Sequence, residues 1–122
     1  MKQVFPKIGV VLGAAALVAT GALVTAGPAT AAYSDCPSGA LCAYLGTGGY
    51  GDPGTVWGNN TNLLQYNKFN NAESLYNNGN NCDVTVYSGL NYTGSAAVAL
   101  RGWTYSPLYS PWKDNVASNR WC

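Results

Sequence analysis

Two stretches of this chain repeat one another, and that repetition constrains the fold more than any other feature. LCAYLGTGGYGDPG and VTVYSGLNYTGS each begin as an apolar run ending in Tyr (Tyr44, Tyr87), pass through glycine and reach a second Tyr (Tyr50, Tyr92). Each half then runs past a Trp (Trp57, Trp103) to an acidic or amide pair and a Ser. The two copies read Asn70-Asn71-Ala72-Glu73-Ser74 and Asp114-Asn115-Val116-Ala117-Ser118. The offset is 43 residues at the first Tyr and 44 at the Ser. A unit this short cannot bury an apolar face by itself, so the two copies are expected to pack into one domain.

The unit reads as strands. Apolar and β-branched runs are short, at 41–45, 55–57, 63–66, 84–87 and 96–100, and clusters of Gly, Asn and Pro separate them. Short runs bounded by turn formers indicate strands, and no window sustains a capped 3.6-residue apolar period. The expected class is all-β, a small sandwich or barrel.

Not all of the 122 residues belong to that domain. Lys2 and Lys7 accompany an apolar stretch at 8–26, and Ala29-Thr30-Ala31 supplies the small residues of a cleavage site, which together read as a secretory leader. Gly9, Gly13 and Gly21 weaken the same stretch as a membrane helix. Removing residues 1–31 leaves a secreted domain at 32–122, with repeats at about 36–79 and 80–122 and no membrane span. Four cysteines in so short an extracellular chain predict two disulfides, for which three pairings exist. Pro37-Ser38-Gly39 is a turn-forming run between Cys36 and Cys42, which favours that pair and leaves Cys82 for Cys122.

The chain contains no His. Ser-His-Asp and Cys-His relays and the HExxH zinc site are therefore excluded. The carboxylates Asp35, Asp52, Glu73, Asp83 and Asp114 show no motif that pairs them for glycoside hydrolysis or related acid–base chemistry. Six basic residues against five acidic ones, scattered along the chain, speak against nucleic acid as a partner. The expectation is a monomeric binding module, not an enzyme, that requires no cofactor.

The residues of the second repeat carry a resemblance. Tyr87-Ser88-Gly89-Leu90-Asn91-Tyr92-Thr93-Gly94 resembles the Greek-key signature of the βγ-crystallin superfamily: aromatic, four residues, aromatic, any residue, Gly. Residues 44–51 resemble the same signature with one residue inserted. Gly94 can adopt a positive φ at the hairpin fold, and the two rings can stack over it. The CPSGALC opening, the aromatic-rich Gly-Tyr unit and the closing DNVASNRWC are similar to the small secreted actinobacterial proteins of peptidase inhibitor family I36. Together these resemblances cover residues 33–122. They imply a βγ-crystallin-like sandwich of two Greek-key repeats whose partner is an extracellular protease.

They also imply candidate sites. Calcium, the one candidate metal, would bind the superfamily loop [Asp/Asn]-[Asp/Asn]-x-x-[Ser/Thr]-Ser through Asn70, Asn71 and Ser74 in one repeat and Asp114, Asn115 and Ser118 in the other. Both copies depart from the sixth position, with Leu75 and Asn119. For inhibition, a rigid exposed loop is needed, and two segments qualify: the Cys36–Cys42 loop, and residues 101–113, RGWTYSPLYSPWK, with Arg101, Trp103, Tyr105, Leu108, Tyr109 and Trp112. A glycan-binding or cell-surface role of killer-toxin type is the alternative; on that reading Trp103 or Trp112 would stack on sugar.

Overall fold

A computed structural model of the chain describes residues 26–28 and 31–122. Its strands form two antiparallel sheets. The larger runs β1 (Ala26–Pro28), β7 (Trp103–Tyr105), β4 (Ser74–Asn77), β2 (Leu41–Tyr44), β3 (Gly54–Val56), and the smaller runs β6 (Thr93–Ala99), β5 (Val84–Gly89), β8 (Ser118–Trp121). A single short helix, α1 (Asn67–Asn70), and three 3₁₀ turns at Ala31–Tyr33, Thr47–Gly49 and Leu90–Tyr92 complete the described elements. The all-β reading is therefore what the chain adopts.

Each half places its first strand between its second and its last, as β3-β2-β4 and β6-β5-β8. The third segment of each half crosses to the other sheet. β7 pairs with β4, Leu75 opposite Tyr105, while Asn60 forms an isolated antiparallel bridge with Asn119 of β8. The Asn60 and Asn119 N–H groups donate to each other's carbonyls at 3.0 Å. Neither half closes its own sheet, so the two must fold as one body.

Inward residues of both sheets, among them Leu41, Ala43, Leu75, Val84, Val86, Ala97 and Tyr105, meet in one core. The strands are too short to fill it. Leu63, Phe69, Leu108, Trp112 and Val116 enter from the connections and close its ends. β2 is buried on both faces, because Cys42 and Tyr44 point the other way into a second cluster with Tyr33, Cys36 and Ala40.

Three readings change. Residues 63–66 are a turn, not a strand: the Leu63 N–H reaches across to Ala117 O at 2.7 Å and the Tyr66 N–H returns to Leu63 O at 3.0 Å. β4 and β8 lack a strand signal because their buried positions include Ser74, Asn77, Ser118 and Asn119. The third concerns the first hairpin, which contains no inserted residue. Positive φ occurs at Gly48, Gly49 and Gly51 in the first half and at Asn91, Tyr92 and Gly94 in the second, a constant offset of 43. Tyr92 therefore corresponds to Gly49, and Tyr50 corresponds to Thr93. Tyr87 and Tyr92 pack with ring centroids 5.8 Å apart. In the first half Tyr33 supplies the missing ring, edge-on to Tyr44 at 5.2 Å, and a Cβ on Gly49 would lie 2.7 Å from it.

The leader expected over 1–31 lies outside the described residues except for Ala26–Pro28 and Ala31. β1 is thus on the leader side of a cut after Ala31, and that cut would leave β7 at the sheet edge. Among the described residues no helix is long and apolar enough to cross a membrane.

Candidate protein-binding surface

The 101–113 segment divides into anchors and exposed positions. Tyr105, Leu108 and Trp112 are buried, and Trp103 packs part-buried against the core. Trp103 and Tyr105 belong to strand β7 and not to a loop, whereas Leu108 and Trp112 pin the connection that follows it over the end of the core. The Tyr105 hydroxyl accepts the Leu100 N–H at 2.7 Å, and burial pushes its phenol pKa up. Trp112 contributes its ring alone, since its buried Nε1 has no hydrogen-bond partner among the described residues. Tyr109 remains 57% exposed. Arg101, Pro107, Ser110, Pro111 and Lys113 are exposed with it. Of the six predicted loop residues, only Arg101 and Tyr109 face solvent.

A second loop joins this one. The Gly48 N–H donates to Ser106 Oγ at 2.6 Å, tying the first hairpin turn to the base of the 101–113 segment. That turn exposes Leu45 and, more fully, Tyr50 at 72%. Tyr50 is free because Tyr33 has taken the place over Gly49 that the Greek-key resemblance assigned to it. The turn itself is rigid: Ser74 Oγ accepts the Gly49 N–H at 3.1 Å and donates to Gly46 O at 2.7 Å. Ser118 does the same in the second half, accepting the Tyr92 N–H at 3.0 Å and donating to Gly89 O at 2.7 Å. Below the loops, Lys113 Nζ bridges Glu73 Oε2 at 3.0 Å and Asp114 Oδ2 at 3.3 Å, and these hydrogen bonds raise its pKa.

The same contacts bear on calcium. Ser74 and Ser118 are fully buried and their hydroxyls are spent on the hairpins. The Asn71 amide N–H₂ is bonded to Asn67, and that of Asn115 to Ser88 O and Pro111 O. Asn70 and Asn71 are exposed. The carboxylates of Glu73 and Asp114, which belong to different repeats, share the Lys113 ammonium. Among the described residues no group of three or more His, Cys, Asp or Glu could hold a metal. The amide bonds engage the nitrogens of Asn71 and Asn115 and leave their side-chain oxygens, the groups that would ligate calcium, unengaged.

Both disulfides pair as the turn argument favoured, Cys36 with Cys42 and Cys82 with Cys122. The first loop is sewn to the end of β4: Asn78 Nδ2 donates to Cys36 O at 2.9 Å and Pro37 O at 3.1 Å, and the Gly39 N–H donates to Asn78 O at 2.7 Å. Behind it the Tyr44 hydroxyl donates to Asp35 Oδ1 at 3.0 Å, and burial followed by that bond holds the phenol protonated far above its ordinary range. Only Pro37 and Ser38 of the bracketed run are exposed.

Sequence reasoning missed Leu45 and Tyr50 as surface groups. The signal that finds Tyr50 is the 43-residue spacing of Gly51 and Gly94, which sets it one place beyond the stacking position. The sequence model of peptidase inhibitor family I36 matches residues 29–99, which include the first disulfide and the Tyr50 turn. No curated protein and no solved structure matches the chain.

Proposed function

The chain belongs to peptidase inhibitor family I36, and from that premise we propose that it is a secreted, non-catalytic inhibitor of an extracellular endopeptidase, a metallopeptidase or another class, acting through the paired loops that carry Tyr50 and Tyr109. The observation that carries the loop assignment is the Gly48–Ser106 hydrogen bond, which joins the two turns into one surface. Inhibition requires a segment that enters a cleft without first having to be ordered. The serine clamp at Ser74 and the inward anchors Tyr105, Leu108 and Trp112 supply that order. Exposed aromatics on a rigid base are the residue type that carries interface energy. The exchanged third segments and matched serine clamps support the Greek-key, crystallin-like reading of the fold.

The test is a titration of the secreted form, expected to begin at Ala32 by intact mass, against a thermolysin-like and a subtilisin-like peptidase. Inhibition of at least one is expected. Changing Tyr50 and Tyr109 together to Ala should weaken it at least about tenfold with the melting temperature unchanged. No inhibition of either enzyme at large molar excess would sink the reading; undiminished inhibition by the double variant would move it to another surface.

A further inference from the structure

A groove of about 400 Å³ lies away from the paired loops, where the first disulfide loop, the turn after β3, the connection between the repeats and the C-terminal strand converge. Its volume falls in the range of small-ligand sites. Trp121, Asn59, Asn80 and Asn81 line it together with three glycines and the Cys82–Cys122 bridge, and none of these side chains carries a charge.

The groove is held in place. The Trp121 N–H donates to Asn59 Oδ1 at 2.7 Å and its indole Nε1–H to Gly58 O at 2.9 Å. Ser38 Oγ donates to Asn80 Oδ1 at 2.8 Å. Asn59 and Asn80 are each pinned through the oxygen of the amide, and among the described residues neither N–H₂ group has a hydrogen-bond partner. Asn81, exposed, makes no hydrogen bond among the described residues. Beside the groove, Trp57 is 58% exposed, its Nε1–H reaching Ser38 O at 3.3 Å. Both indoles have spent their one donor on backbone and offer ring surface alone. The glycines make the room: a Cβ on Gly79 would collide with the Trp121 ring, and one on Gly39 would sit 3.2 Å from Asn80 Nδ2.

From this we propose a second binding site, for a neutral oligosaccharide. Free amide N–H groups match hydroxyl oxygens, and ring surfaces match the C–H faces of pyranoses. The lack of a cationic side chain disfavours phosphate and nucleotide ligands. The site also relocates the glycan expectation, since Trp112 is buried and Trp103 packs on the core.

The experiment uses no peptidase, so it stands apart from the inhibitory reading. Isotope-labelled protein is titrated with chitohexaose, cellohexaose, laminarihexaose and maltohexaose up to about 10 mM. At least one should shift the indole signals of Trp57 and Trp121 and the side-chain amides of Asn59, Asn80 and Asn81, saturably and with little change elsewhere. Trp57→Ala and Asn81→Ala, both at exposed positions, should each weaken that binding at least about fivefold with the rest of the spectrum preserved. The proposal is overturned if no sugar shifts these signals, if the shifts map to another surface, or if a neutral hexapeptide moves them and the sugars do not.

Discussion

At the scale of single residues, the serine at the end of each repeat motif does the work of a latch. Ser74 and Ser118 each close a hairpin from more than 20 residues away through one accepted and one donated hydrogen bond. Ser118→Ala leaves the Tyr92 N–H and the Gly89 carbonyl unpaired and should cost about 1–3 kcal/mol in urea denaturation. Gly49→Ala should cost at least as much, since it adds a Cβ at φ +78° against the Tyr33 ring. A Gly51→Ala change is the control: φ is also positive at +90°, but no atom of the described residues lies within 4 Å, so only the backbone penalty of about 1 kcal/mol remains.

At the scale of elements, the loops of the two repeats have diverged while the hairpins have kept one geometry. The calcium motif illustrates this. Its spacing is the same in both halves, yet the hydroxyls serve the hairpins and Lys113 supplies the positive charge between Glu73 and Asp114. Calcium binding by the motif predicts a rise in melting temperature with millimolar Ca²⁺ that a chelator reverses, and a flat response would count against these residues as ligands. The strand signal was readable where β-branched residues alternate, as at Val84 and Val86 of β5, and unreadable in β8, whose buried Ser118 and Asn119 are chosen for latch and bridge. Asn and Ser carry little strand propensity, so tertiary contacts set those segments.

At the scale of the whole molecule, two covalent ties act on very different spans. Cys82–Cys122 encloses the entire second repeat, with a separation of 40, whereas Cys36–Cys42 closes a separation of 6. Loop-closure entropy predicts a loss of roughly 4 kcal/mol when the first of these is replaced by a pair of alanines and roughly 2 kcal/mol for the second, measured by chemical denaturation. Equal losses would mean that packing, such as that of the Cys36 and Cys42 side chains in the Tyr33–Tyr44 cluster, outweighs the constraint on the unfolded chain.

The sequence by itself determined the all-β class and the duplicated unit of about 43 residues, and it favoured one of three cysteine pairings that the structure then adopts, because those follow from local periodicity, turn chemistry and spacing. The tertiary structure alone decided which aromatics are offered to a partner. Tyr50 is exposed because Tyr33, 17 positions earlier, covers Gly49; Trp112 is hidden because short strands leave the core open at one end. The Gly48–Ser106 bond spans 58 positions, and the groove gathers four separate stretches of chain. Such contacts depend on how two sheets exchange their third segments, and no local pattern of residues encodes that exchange.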